Sequence, residues 1–136
     1  MKVIFLDFDG VITTEASGYK IDNDKCKLVE KICIATGAKI VISSSWRRRK
    51  LCDTLDEIGW NFYLKKYVIG QTPVRDMERY IEISNWLSCV VVDNFIVIDD
   101  DVFSAPFIEK HLIRTDGYKG ISEQDVEQAI KLFSNE

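Results

Sequence analysis

The sequence predicts an α/β protein built on a doubly wound, mostly parallel sheet with helices on both faces. Short, nearly continuous apolar runs alternate with segments whose apolar residues recur at helical spacing, the βαβ rhythm of a sheet covered on both sides. Three of those runs end in polar or acidic clusters, Asp7/Asp9, Ser43/Ser44 and Asp99/Asp100, at the strand ends where such sheets collect their chemistry. The 136 residues, 46% hydrophobic and 29% charged, suit one domain over 1–136, with a core able to fold without disulfides or a structural metal.

Residues 3–8 form the first apolar run and the first expected strand. Over 23–36, Cys26, Val29, Ile32 or Cys33, and Thr36 share a helical face, with Asp22 or Asn23 as N-cap and Gly37 as the stop. That helix leads directly into a strand over 39–42. After Ser43-Ser44-Ser45, the spacing of Leu51, Leu55 and Ile58 predicts a helix over 46–58, closed by Gly59. The aromatic and β-branched stretch 61–69 predicts a strand, followed by a turn over 70–73. Met77, Tyr80 or Ile81, and Ser84 or Leu87 place a helix over 76–87. A buried strand over 95–98 then runs into Asp99-Asp100-Asp101. A short helix over 104–110, a last strand over 111–114 and a terminal helix over 122–133 complete the chain, the last opened by Ser122 and Asp125 in a capping-box-like arrangement.

The net charge of −4 and a pI near 5.1 exclude a generally basic nucleic-acid-binding surface while leaving room for a local patch. Cys26, Cys33, Cys52 and Cys89 form no CxxC pair and His111 stands far from them, so a zinc site is not expected and the thiols read as reduced and mostly buried. The N-terminal MKVIFLDFDG lacks the features of a signal peptide, and no run approaches the length of a membrane span. A cytoplasmic protein with no membrane partner is the expectation.

Asp7-Phe8-Asp9-Gly10 follows the first strand, and alternation sends Asp7 and Asp9 to the same side. Close carboxylates repel, so they call for a cation or a shared proton, and a set of oxygen donors suits Mg²⁺. Gly10 lets the chain turn tightly away. An Asp at a strand end also serves as a simple turn cap. The second acidic pair at Asp99-Asp100 and the serine cluster shift the balance toward a site.

These elements resemble the haloacid dehalogenase (HAD) superfamily of phosphohydrolases in four ordered motifs. The first is Leu6-Asp7-Phe8-Asp9-Gly10-Val11, the second Val41-Ile42-Ser43-Ser44, the third a basic residue, and the fourth Ile98-Asp99-Asp100. The resemblance implies a capless, HAD-like (Rossmannoid) sheet and a phosphatase with an aspartyl-phosphate intermediate. It makes Asp7 the nucleophile and Asp9 the acid/base. Mg²⁺ would be held by Asp7, the backbone carbonyl of Asp9, and Asp99 or Asp100. Ser44, or Ser43 as a close second, would donate to a phosphate oxygen, although a serine here also serves to cap the following helix. Arg79 is the first choice for the third motif, with Arg75, Lys65 and Lys66 as the other candidates.

A closer resemblance rests on Ser44-Ser45-Trp46-Arg47, Thr72-Pro73, the run from Arg79 through Leu87, Asp99-Asp100, Thr115-Asp116 and Gly120-Ile121. It is to the phosphatase-like domain of Swiss Army Knife RNA repair proteins, and it implies a phosphorylated substrate with a polynucleotide end as the leading candidate. No segment is long enough for an inserted cap domain, so the site is expected to be open to large substrates unless the flap over 13–20 covers it. Arg47 to Lys50 places basic charge beside the second motif, where Arg47 would hold phosphate and Trp46 would stack a base. The competing reading leaves those arginines solvated and Trp46 in the core. Trp60, Trp86 and Phe62-Tyr63 read as core, and His111 as structural. The alternatives are a protein or small-nucleotide phosphatase of the same superfamily, and a receiver-like phosphoacceptor. Receivers place adjacent acids after the first strand, unlike the spaced pair here.

Overall fold

The computed structural model describes residues 1–18, 20–43, 62–72, 78–101, 103 and 105–134. Among these residues the sheet has five strands: β1 (Lys2–Leu6), β2 (Lys39–Ile42), β3 (Val68–Gln71), β4 (Asn94–Asp99) and β5 (Leu112–Arg114). All pair in parallel, in the order β3-β2-β1-β4-β5. The described helices are α1 (Asn23–Thr36), α2 (Arg79–Cys89), α3 (Pro106–Glu109) and α4 (Glu123–Ser134).

Side-chain alternation divides the core between the two faces of the sheet. Ile4, Leu6, Ile40, Ile42, Ile96 and Ile98 pack with Cys26, Val29 and Ile32 of α1 and with Val126, Ala129 and Phe133 of α4. Val3, Phe5, Val41 and Val97 face the other way, onto Ile83 of α2 and Ile108 of α3, with Trp86 edge-on to Phe5 at 5.5 Å. Because both faces are covered, the inner positions of the three central strands, 3–6, 40–42 and 95–98, are all apolar. The sequence therefore shows continuous hydrophobic runs rather than an alternating pattern.

The caps of α1 fall where expected. Asp22 accepts the Asp24 backbone N–H at 2.9 Å, and Gly37, at φ 76°, donates its N–H to the Cys33 carbonyl at 2.8 Å. At α4, Ser122 N–H and Oγ both donate to Asp125 Oδ2, at 2.9 and 3.0 Å, and the Asp125 N–H donates back to Ser122 Oγ. Cys26 and Cys33 are buried thiols and Cys89 is an exposed one; Cys52 lies outside the described residues. His111 stacks on Phe95 at 4.0 Å with Nδ1 2.8 Å from the Phe95 carbonyl, a structural role. No described helix is long and apolar enough to cross a membrane.

The stretch 61–69 corrects the expectation. Its described residues make a turn and a 3₁₀ segment, Lys65–Tyr67, before β3 begins at Val68, and β3 includes Gly70 and Gln71, where a turn was expected. Tyr63 and Tyr67 donate their hydroxyls to Glu30 of α1 at 2.5 and 2.7 Å, while Phe62 and Leu64 enter the core. These residues look strand-like because they suit a half-buried surface, and here that surface belongs to a helix. β1 ends at Leu6 rather than at Phe8, and α2 runs from Arg79 to Cys89. α3 is shorter than the expected 104–110. The expected helix over 46–58 lies outside the described residues, as do Trp46, Trp60 and Met77.

Candidate active site

The parallel register carries the ladder one rung beyond the strand ends. Leu6 is paired with both Ile42 and Ile98, so Ser43, Asp7 and Asp99 follow in one row. The Asp7 N–H donates to the Ile98 carbonyl at 3.0 Å and the Ser43 N–H to Leu6 at 2.9 Å. Thr72 extends the row beside Ser43, its N–H donating to Ile42 at 3.0 Å. Thr115 extends it at the other side, donating to the Asp99 carbonyl at 3.0 Å. All five residues are buried, an unusual concentration of polar side chains for an interior.

Asp7, Asp99 and Asp100 bring one carboxylate oxygen each to within 4.8 Å of one another. Arg79, the first residue of α2, reaches into this group: its Nη1 stands 2.5 Å from Asp99 Oδ2 and 3.4 Å from Asp7 Oδ1. One guanidinium thus pairs with two of the three acids. Burial, with the nearby charge of Asp99, pushes the Asp7 carboxyl up to about 8, against the opposing pull of Arg79. Burial also raises Asp100, with Asp99 again contributing. For Arg79, burial works against the charge, but Asp99 and Asp7 outweigh it and hold its pKa above the ordinary arginine value. The excess of acid, made only of oxygen donors, fits a hard divalent cation such as Mg²⁺.

Gly10 serves this cluster in a way the sequence did not indicate. It lies at φ 82°, and a Cβ there would collide with the Asp100 carboxylate, so glycine makes room for an acid as well as for a turn. The Thr115 hydroxyl donates to the Gly10 carbonyl at 2.7 Å, tying the loop after β5 to the loop after β1. Thr115 and Thr72 entered the sequence reading only as parts of a resemblance. A hydroxyl residue directly after a strand was the available signal.

The other expected residues are placed unevenly. The Asp9 carboxylate lies outside the three-acid group; its Oδ1 accepts from Thr13 Oγ1 at 2.8 Å in a half-buried position. Ser43 is 1% exposed, and its hydroxyl finds no hydrogen-bond partner among the described residues, nor does that of Thr72. Buried hydroxyls are normally paired, so these two are available to an incoming acceptor. Ser44, Arg47 and Arg75 lie outside the described residues. Lys65 and Lys66 sit at the start of β3, the end of the sheet away from Asp7, where Lys66 Nζ is 3.6 Å from Glu30. Of the described basic candidates, only Arg79 joins the acids.

No curated protein matches the chain. A family described as the HAD domain in Swiss Army Knife RNA repair proteins matches residues 3–126, a span that includes every strand after the first residue of β1 and every residue of the acidic cluster. With four ordered motifs converging on one edge of a parallel sheet and this match over most of its length, the chain belongs to the HAD-domain family of Swiss Army Knife RNA repair proteins.

Proposed function

We propose that the protein is a Mg²⁺-dependent phosphomonoesterase that works through an aspartyl-phosphate intermediate and acts on phosphorylated nucleic-acid ends. The observation that carries this reading is the group of buried Asp7 and Asp99 with half-buried Asp100, two of its acids paired with Arg79, at the carboxyl edge of the sheet in a chain of this family. Asp7 and Asp100 are the residues to hold the metal. Asp99 is already engaged, with Oδ2 on Arg79 and Oδ1 accepting the Asp101 N–H at 3.0 Å. When bound, Mg²⁺ supplies positive charge that offsets the repulsion between an anionic nucleophile and an anionic phosphate.

The chain's own residues account for the chemistry. An oxygen of Asp7 attacks phosphorus, and the bond to the leaving ester oxygen breaks as that oxygen takes a proton from Asp9. Asp9 then accepts a proton from water, whose oxygen attacks the phosphorus of the acyl phosphate. Inorganic phosphate leaves and the Asp7 carboxylate is restored. Arg79 holds Asp99 and the nucleophile in place and offers its remaining N–H groups to a phosphate oxygen, while Ser43 offers an unpartnered hydroxyl.

The test is phosphate release from a 3′-phosphorylated oligonucleotide, mononucleotides and phosphopeptides, with Mg²⁺ or EDTA, for the wild type and Asp7→Asn. Metal-dependent release that is highest on the oligonucleotide and abolished in Asp7→Asn is expected. Preference for a mononucleotide or phosphopeptide would keep the mechanism and overturn the substrate. No release from any of them would overturn both.

A further inference from the structure

The loop after β5 is fastened to the reaction centre on several sides and carries an aromatic ring that the fold does not use. Thr115 binds the Asp99 carbonyl through its N–H and the Gly10 carbonyl through its hydroxyl. Ile121 N–H donates to the Val11 carbonyl at 2.9 Å, and Gly120, at φ 71°, lies so close to that carbonyl that a Cβ would stand 2.6 Å from it. Between these anchors Gly117 lies against Asp100, where an added Cβ would be 3.0 Å from Oδ2. Asp116 holds the turn, accepting the N–H groups of Tyr118 and Lys119 on Oδ1 and that of Gly120 on its carbonyl.

Tyr118 therefore sits one residue from the contact with Asp100, on a turn held from within and anchored at both ends. It is 76% exposed, the most exposed aromatic among the described residues. Lys119 follows it, and Arg114 precedes the loop with Nε 3.4 Å from the Asp100 carbonyl. A rigidly mounted, solvent-facing ring with basic neighbours, beside a phosphate site, is the arrangement that proteins use to stack bases next to bound phosphates.

We infer that Tyr118 is a specificity residue that stacks on the base of a nucleotide whose phosphate occupies the Asp7 site. This rests on the phosphatase reading for the position of the phosphate, but it concerns binding rather than turnover. The test accordingly uses the 3′-methylenephosphonates of adenosine and of ribose, which hydrolysis cannot cleave, titrated calorimetrically in Mg²⁺ into the wild type, Tyr118→Ala and Tyr118→Phe. The adenosine compound should bind the wild type about 10-fold more tightly than the ribose compound, within the range of one base–aromatic stack. Tyr118→Ala should erase that advantage and leave the ribose compound unaffected, while Tyr118→Phe retains it because stacking needs the ring and not the hydroxyl.

Equal wild-type affinity for the two compounds would overturn the inference, as would a base advantage that survives Tyr118→Ala. A peptide carrying the methylenephosphonate analogue of phosphoserine bound more tightly than the adenosine compound, with Tyr118→Ala weakening the peptide, would overturn it in favour of a protein substrate. Base-dependent binding without phosphate release from any ester would sustain the role of Tyr118 and remove the catalytic reading. Phosphate release without base-dependent binding would do the reverse.

Discussion

With its carboxyl pushed up to about 8, first by burial and then by the charge of Asp99, Asp7 holds a proton through most of the neutral range in the metal-free protein. A cation must displace that proton to bind the carboxylate. Mg²⁺ binding at pH 7 is therefore expected to release close to one proton, and affinity should rise up to about tenfold per pH unit below pH 8 before levelling off. Calorimetric titrations in two buffers of different ionisation enthalpy measure the proton count directly, and binding without proton release would contradict this account of Asp7. The prominence of Asp7 was legible in the sequence as an acid following an apolar strand. Its raised pKa was not, because it comes first from enclosure by residues distant along the chain and then from the charge of Asp99. Gly10 is similar: the sequence shows a turn glycine, while its second purpose depends on Asp100 crossing above it.

Among the secondary-structure elements, agreement was closest where local chemistry decides. α1 begins after Asp22 and stops at Gly37 because one side chain satisfies an N-terminal N–H and a glycine adopts the left-handed stop. α4 is similarly set by the reciprocal bonds of Ser122 and Asp125. Ser122→Ala should cost about 1 kcal/mol of stability and speed amide exchange in the first turn of α4 without altering turnover. Hydrogen exchange read by mass spectrometry, alongside thermal melts, checks both parts; an effect on turnover would show that α4 does more than pack against the sheet. The stretch 62–71 departs from its sequence pattern because long-range partners outweigh local preference there. Glu30 recruits two tyrosines away from strand pairing, and β3 starts only after them.

For the whole molecule, the raised pKa of Asp7 becomes a dependence of stability on pH. Between the ordinary Asp value of 3.8 and about 8, the native state binds a proton that the unfolded chain has lost, so the metal-free protein should lose stability as pH rises through that window. Asp7→Asn should flatten the slope and melt higher than the wild type at pH 8 without metal. Adding Mg²⁺ to the wild type at ten times its Kd should restore about 1.4 kcal/mol, roughly a 3–6 °C rise in Tm, while Asp7→Asn should respond weakly. Melts at pH 5 and pH 8, with Mg²⁺ and with EDTA, test these statements together, and a wild type more stable at pH 8 in EDTA would contradict them.

The sequence by itself determined the architecture, because a parallel sheet covered on both faces needs continuous apolar strands separated by helices, and that pattern is written locally. It also placed acids and serines at strand ends, where a doubly wound sheet gathers them, and Arg79 on the helix before β4. Only the tertiary structure decided which of these residues meet. It brought Arg79 between Asp7 and Asp99, seated Asp100 over Gly10, left the Asp9 carboxylate outside the three-acid group, and set Gly117, the neighbour of Tyr118, against Asp100. Strand register and loop-to-loop hydrogen bonds set those distances, and both are properties of segments that become neighbours only when the sheet has formed.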